Sequence, residues 1–228
     1  MGRQTPRLIK IAQQIYSFPP LLSAYTRLSW RCHSTRVRRR HGHLRLHIGA
    51  GNHIVAGWLN IDLHPGLSLL SMKVPEGLGR FADRSARCIY TSHLLEHLSY
   101  PTEAAELLRQ CHRLLVPDGG LRIVVPDIGR IIRAYVDHDE PFFRQQARMH
   151  PAWCRTRLDH LLYALQQEGE HRYGYDAETL TRLLADTGFR TIGPSGFNGS
   201  RVPELNIDYH DDIDHTGASL HLFMDAIK

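Results

Sequence analysis

Each thing this sequence lacks excludes a class of protein. It has four cysteines and no paired spacing among them, which rules out a disulfide scaffold. Free thiols instead point to a reducing compartment. No stretch approaches the roughly eighteen consecutive apolar residues of a membrane span. The opening residues lack a secretory pattern, because Lys10 and Gln13-Gln14 interrupt the apolar positions. Twelve prolines and eighteen glycines in 228 residues are too ordinary for a collagen-like or low-complexity chain, and no internal repeat is visible. What is present is 42% hydrophobic and 22% charged, the composition of a globular domain of moderate size.

Acidic residues are missing from the first quarter of the chain. The first is Asp62, while residues 1–61 hold ten of the 28 lysines and arginines. The remaining 18 basic residues face 23 acidic ones. The net charge of +5 therefore describes a mildly acidic body behind a basic front end, and no nucleic-acid track is expected. Leu8, Ile11, Ala12 and Ile15 recur at helical spacing before Pro19-Pro20, and Arg36-Val37-Arg38-Arg39-Arg40 follows. Residues 1–41 thus read as a basic amphipathic extension. It could pack on the body, lie on an anionic membrane surface or a partner protein, or serve as an organelle-targeting segment.

From about His43 strands alternate with helices. Leu44–Ile48, Trp58–Asp62, Leu69–Val74 and Arg87–Ser92 read as strands. Pro101–Leu115 reads as a helix with Ala104, Leu107, Leu108 and Cys111 on one face, ended by Pro117-Asp118-Gly119-Gly120. Leu121–Val125 is a strand buried on both sides. Helices fill 128–168, with a break near Pro141. Asp176 caps another helix that ends at Gly188, and Phe189–Ile192 and Ser219–Ile227 are antiparallel edge strands. Alternation of this kind predicts a doubly wound α/β sheet over residues 42–228.

The chemical signal is a strand, then Gly49-Ala50-Gly51-Asn52, then a strand ending on Asp62. A glycine turn lets a ligand approach the backbone, and an acid at the end of the second strand can accept both ribose hydroxyls. The third glycine of a dinucleotide fingerprint is missing, and Gly49 to Asp62 is 13 positions, short of the ~20 in such a fingerprint. Nine residues, Gly49 to Gly57, leave little room for a crossover helix. A pyrophosphate would want that helix N-terminus. S-adenosylmethionine has no phosphate and carries a sulfonium cation, so it does not.

The stretches LHIGAGNHIVAGWLNIDLHP (47–65), IYTSHLLEHLSYP (89–101), LRQCHRLLVPDGGLRIVVPDI (108–128), RYGYDAETLTRLLADTGF (172–189) and ASLHLFMDAIK (218–228) together resemble the class I S-adenosylmethionine-dependent methyltransferases. The likeness is greatest to the branch with a short first loop, often associated with polysaccharide or glycan biosynthesis. The resemblance implies a Rossmann-like, mostly parallel seven-stranded sheet with a helical insertion after strand five. It implies that Gly49, Ala50, Gly51 and Asn52 hold the methionine part of the cofactor and Asp62 the ribose. It also implies that Asp83 lies near the adenine and that Ser92 borders the sulfonium. Arg87 departs from the family's usual acid.

In open α/β sheets chemistry occurs at the carboxyl ends of strands, which singles out His93 and Asp127. His93 and His97, four apart on an expected helix, can share a face beside Glu96. His93 is the expected base for a hydroxyl acceptor. Asp127 is read equally as catalytic or as a helix cap, and His171, Tyr173 and Tyr175 as a lid. Phe142, Phe143, Trp153 and Tyr163 read as core. His210, Asp211, Asp212, Asp214 and His215 match no metal motif and read as a solvated acidic loop, so no metal is expected. The overall expectation is a cytoplasmic O-methyltransferase, able to sit against the inner membrane face, that acts on a sugar, glycan or other small metabolite. A nicotinamide-dependent oxidoreductase and a noncatalytic partner subunit are the alternatives.

Overall fold

The structure is a computed structural model and describes Leu28 and residues 43–64, 66 and 68–228. Apart from Leu28, the basic extension assigned to residues 1–41 lies outside the described residues. Seven strands form one sheet: β1 Leu44–Ile48, β2 Leu59–Asp62, β3 Leu70–Ser71, β4 Ala86–Ser92, β5 Leu115–Pro126, β6 Arg190–Ser195 and β7 His221–Ile227. Their spatial order is β3-β2-β1-β4-β5-β7-β6. The first five strands pair in parallel, and β7 runs antiparallel to both β5 and β6. The described α-helices are α1 Thr102–Leu114, α2 Ile128–Val136, α3 Glu140–Gln146, α4 Arg157–Gln166 and α5 Ala177–Asp186. This is the expected Rossmann-like sheet, with α2, α3 and α4 following β5. No described helix is long and apolar enough to cross a membrane.

The apolar patterns explain the layers. On α1, Ala104, Leu107, Leu108, Cys111 and Leu114 are buried against the sheet, and Leu180, Leu183 and Leu184 of α5 join them. Each leucine buried this way contributes roughly 1.5–3 kcal/mol. Asp176 starts α5 by accepting from the Thr179 N–H at 2.8 Å, as its sequence position suggested. On the opposite face Trp58, Cys88, Tyr90, Val124 and Phe223 are buried under a loop that brings Leu205, Ile207 and Tyr209. Arg122 of β5 fastens that loop. Its guanidinium is fully buried and donates to both Asp208 oxygens at 2.9 and 2.6 Å, to Asp225 Oδ1 at 2.8 Å and to Ser195 Oγ at 2.7 Å.

Three elements differ from the sequence reading. The apolar run Leu69–Val74 pairs only at Leu70–Ser71 before the chain turns at Pro75, which has no N–H to continue a ladder. The Pro117–Gly120 segment is absorbed into β5, with Asp118 at φ +59°, while α1 ends at Leu114. After β4 there is a three-residue 3₁₀ turn, Leu95–His97, in place of an α-helix, and His93 sits before it at φ +51°.

The chain leaves β1 toward β2 and β3 on one side and resumes at β4 and β5 on the other. The crevice of such a sheet opens at this reversal, at the carboxyl ends of β1 and β4. Gly49 follows one of those ends and His93 the other.

Candidate active site

Residues 49–58 link β1 to β2 without a helix, in line with the short spacing. Gly49 N–H and Ala50 N–H both donate to the Ile61 carbonyl, at 2.9 and 3.0 Å, so the turn is tied to β2. Gly49 has φ +75°, and a Cβ there would meet Leu94 Cβ at 2.9 Å. Glycine is therefore needed both for the backbone angle and for the close approach of Leu94. Gly51 has φ +50°, and a Cβ there would meet nothing within 4 Å. Its N–H donates instead to Asp62 Oδ2 at 2.8 Å. Asp62 Oδ1 accepts from the His64 N–H at 2.8 Å, and His64 Nδ1 lies 2.7 Å away.

These groups border a cavity of about 590 Å³, within the range of small-molecule sites. Ile61, Leu63, Met72, Val74, Leu94 and Leu98 supply apolar walls. Asp62, Glu103 and Glu170 add acids, with Lys73 and Arg172 the opposing cations. The open space over Gly51 is a cradle for a ligand lying along the backbone. The Asp62 carboxylate has lone pairs to spare for ribose hydroxyls. The apolar walls after β3 suit a planar base, and the acids suit a cofactor carrying positive charge. The residues present thus fit S-adenosylmethionine.

A second chamber, of about 240 Å³, adjoins this cleft, and His93 lines both. Its walls come from Asp127 and Ile128 at the β5–α2 corner and from Phe142, Gln146, His150 and Tyr163 in the insertion. His171, Asp212, Leu220 and His221 close it. His93 Nε2 lies 3.2 Å from His221 Nδ1, and His221 Nε2 lies 3.0 Å from Asp212 Oδ2. On the other side of the ring, His93 Nδ1 is 3.1 Å from Glu96 Oε1, an ion-pair distance without hydrogen-bond alignment. Burial lowers the pKa of His150 and His210 to about 4, and neighbouring imidazoles act the same way. Burial also lowers that of His171 and His221. These rings are neutral at pH 7.

The segment 170–175 crosses over the site. Its Arg172 and Tyr173 N–H groups donate to the Glu96 carbonyl, at 2.8 and 3.2 Å. Glu170 and Arg172 line the cofactor cleft while His171 lines the chamber. Tyr173 stacks on Tyr100, with centroids 4.0 Å apart. Tyr175 is buried and bridges to Asp127.

The structure brings Gly49, Gly51, Asp62, His93 and His97 together around the cleft. Ala50 and Ser92 are buried, Asn52 is exposed, and none of the three lines the cleft. Asp83 does not line the cleft. Its side chain is 73% exposed and pairs with Arg113 at 2.5 Å. His93 and His97 do not share a helix face. His97 Nδ1 is held by the Glu170 carbonyl at 3.0 Å, and its ring meets His171. Asp127 lines the chamber and also caps α2, accepting from the Arg130 N–H at 3.0 Å. Phe142 and Phe143 are buried as core, although Phe142 and Tyr163 also wall the chamber, and Trp153 is largely exposed. The expected solvated loop is divided. Asp214 is buried against Arg130, Thr216 and Ala218, while His210 and Asp212 belong to the His93 cluster. Arg87 pairs with Glu204 at the surface. The sequence reading missed His221, His150 and Gln146. The Gln146 side-chain nitrogen is buried, finds no partner among the described residues and belongs to a chamber-lining residue.

A doubly wound sheet whose switch point carries a glycine turn, a β2 carboxylate and an adjoining chamber defines an enzyme that binds a nucleoside cofactor. The family model described as a methyltransferase domain matches residues 46–192. The chain belongs to that family and is an S-adenosylmethionine-dependent methyltransferase. No curated protein matches the sequence. Among solved structures, a SAM-dependent methyltransferase from Archaeoglobus fulgidus is 16% identical, covering 90% of this chain and 94% of its own, with a TM-score of 0.49. One from Mesorhizobium loti is 15% identical, with coverages of 88% and 97% and a TM-score of 0.44. The 1,6-didemethyltoxoflavin-N1-methyltransferase from Burkholderia thailandensis, solved with S-adenosylhomocysteine, is 14% identical, with coverages of 100% and 92% and a TM-score of 0.46.

Proposed function

We propose that this methyltransferase methylates an oxygen atom on a sugar, glycan or other small metabolite. The observation that carries this reading is the 240 Å³ chamber that meets the cofactor cleft at His93. Its size suits a small acceptor or the end of a larger one. Its neutral histidines, Gln146 and aromatic walls suit an uncharged, hydroxyl-bearing one.

Bound S-adenosylmethionine supplies a methyl carbon already activated by its sulfonium. The protein must then align an acceptor atom with that carbon, and alignment alone can lower the barrier by several kcal/mol. Gly49, Ala50, Gly51 and Asn52 hold the methionine end and Asp62 the ribose. Ser92 supports the floor beneath them. His93 takes the acceptor hydroxyl's proton on the ring nitrogen that does not face His221. His221, whose Nε2 donates to the half-exposed Asp212 at 3.0 Å, accepts from His93 Nε2 at 3.2 Å and so supports the imidazolium that forms. Asp127 orients the acceptor at the opposite wall. His97, whose Nδ1 donates to the Glu170 carbonyl, positions the 170–175 segment.

The test is transfer of labelled methyl from S-adenosylmethionine into fractionated small-molecule and glycan extracts. Label recovered as an O-methyl ether supports the reading. Label recovered only in protein, nucleic acid or an N-methyl product overturns it.

A further inference from the structure

We propose that Glu96, His97 and His171 form a binding site for a divalent transition-metal cation at the junction of cofactor cleft and acceptor chamber. The inference rests on the methyltransferase reading only for the role of the site, not for its existence. One carboxylate oxygen of Glu96 and one ring nitrogen of each histidine lie within 4.8 Å of one another. The Glu96 side chain is 2% exposed, and neither of its oxygens accepts a hydrogen bond from any described residue. A buried carboxylate without hydrogen-bond donors is costly unless a cation compensates it. His93 Nδ1 lies 3.1 Å from one oxygen and leaves the other uncommitted.

The histidines are prepared for ligation. His97 Nδ1 lies 3.0 Å from the Glu170 carbonyl and His171 Nδ1 lies 3.1 Å from the Ala164 carbonyl. A carbonyl only accepts, so both Nδ1 atoms carry the proton and both Nε2 atoms present lone pairs. A second hydrogen bond of this kind, to a backbone carbonyl, is what orients metal-ligating histidines generally. The arrangement is also fixed in advance. The segment carrying His171 is bonded through Arg172 and Tyr173 to the backbone carbonyl of Glu96, so the third ligand is mounted on the first.

Two imidazoles and one carboxylate form the donor set of Zn²⁺ sites that keep an open position, and of other first-row cations. His97 lines the cleft and His171 the chamber, so open positions would face the bound molecules. A cation there would polarise an acceptor oxygen while His93 remains free to receive its proton.

The experiment strips the full-length protein with a chelator and titrates Co²⁺ and Zn²⁺, following the visible spectrum of Co²⁺ and calorimetric binding. One equivalent is expected to bind to the wild type and raise its melting temperature. His171→Ala and His97→Ala should each weaken binding at least 100-fold. His210→Ala, in the neighbouring histidine cluster, should leave it unchanged. Wild-type protein that binds no metal overturns the site, as does His171→Ala binding like wild type or loss of binding in His210→Ala instead. Calorimetry with S-adenosylmethionine on the same samples separates this outcome from failure of the methyltransferase reading. A protein that binds and uses the cofactor without metal refutes only the metal site.

Discussion

His93 Nε2 lies 3.2 Å from His221 Nδ1, although 128 residues separate them in the chain. The contact joins the end of β4 to the start of β7 and sets a second imidazole beside the one that lines both cleft and chamber. His93→Ala should retain S-adenosylmethionine affinity, because the cradle is built on β1 and β2. It should lower kcat by roughly 10²–10⁴-fold, the range for removing a general base. His221→Ala should lower kcat less and alter its pH profile. Equal turnover in His93→Ala and wild type would remove His93 from the chemistry.

Local features of this site were legible in the sequence. The glycine turn and Asp62 lie within one strand–loop–strand unit, and the lack of a crossover helix follows from its length. His93 could be placed because it follows a strand of obvious pattern. The partners of His93 could not, since His210 and His221 arrive from residues far along the chain with no helical or strand period linking them. The burial of Glu96 was equally hidden, because it depends on the 170–175 segment, whose N–H groups reach the Glu96 carbonyl from far along the chain. Asp83 misled for the opposite reason. Its position in the resemblance suggested an adenine contact, but Arg113 from α1 holds it at the surface.

Asp62 fixes the cradle and would also hold the ribose. Asp62→Ala removes the acceptor of the Gly51 N–H as well as the ribose contacts. With charged hydrogen bonds worth ~1.5–3 kcal/mol each, the Kd for S-adenosylmethionine should rise by about 10–100-fold or more. Gly49→Ala should be as damaging through a different cause, the 2.9 Å encounter with Leu94 in a left-handed backbone. Asp83→Ala, by contrast, should leave cofactor affinity unchanged. Isothermal titration calorimetry distinguishes the three variants.

Arg122 lies within an apolar strand pattern, yet it is the largest fully buried side chain among the described residues. Its ties to Asp208 and Asp225 hold the covering loop onto β5 and β7. Arg122→Ala leaves two carboxylates buried without their cation, and urea unfolding should show a loss of about 3–5 kcal/mol. Replacing the triad together, as Arg122→Met with Asp208→Asn and Asp225→Asn, should recover part of that loss. No recovery would mean that the loop depends on the charges themselves.

The basic residues of 1–41 precede the Gly49 turn in the chain, and the described residues that line the cleft all lie at or after that turn. Deleting residues 1–40 should spare cofactor affinity and weaken binding to vesicles containing anionic lipid or to a partner protein. Loss of cofactor binding in the truncated protein would show that the extension belongs to the domain.

His47 of β1 gives the fold a defined acid sensitivity. It is fully buried between Asn60 and Tyr90, and burial lowers its pKa to about 4 from an ordinary 6.5. Between those values the unfolded chain takes up a proton that the folded one refuses, so stability falls as pH drops from about 6.5 to about 4. At 1.36 kcal/mol per unit the full effect is about 3 kcal/mol, present above pH 6.5 and gone below pH 4. His47→Gln keeps a polar contact to Asn60 but cannot ionise. Urea melts at pH 7 and pH 4.5 should therefore show a smaller acid loss in the variant than in the wild type. Equal losses in the two proteins would assign the acid sensitivity to His150 and His210, whose pKa values are lowered to about 4 as well.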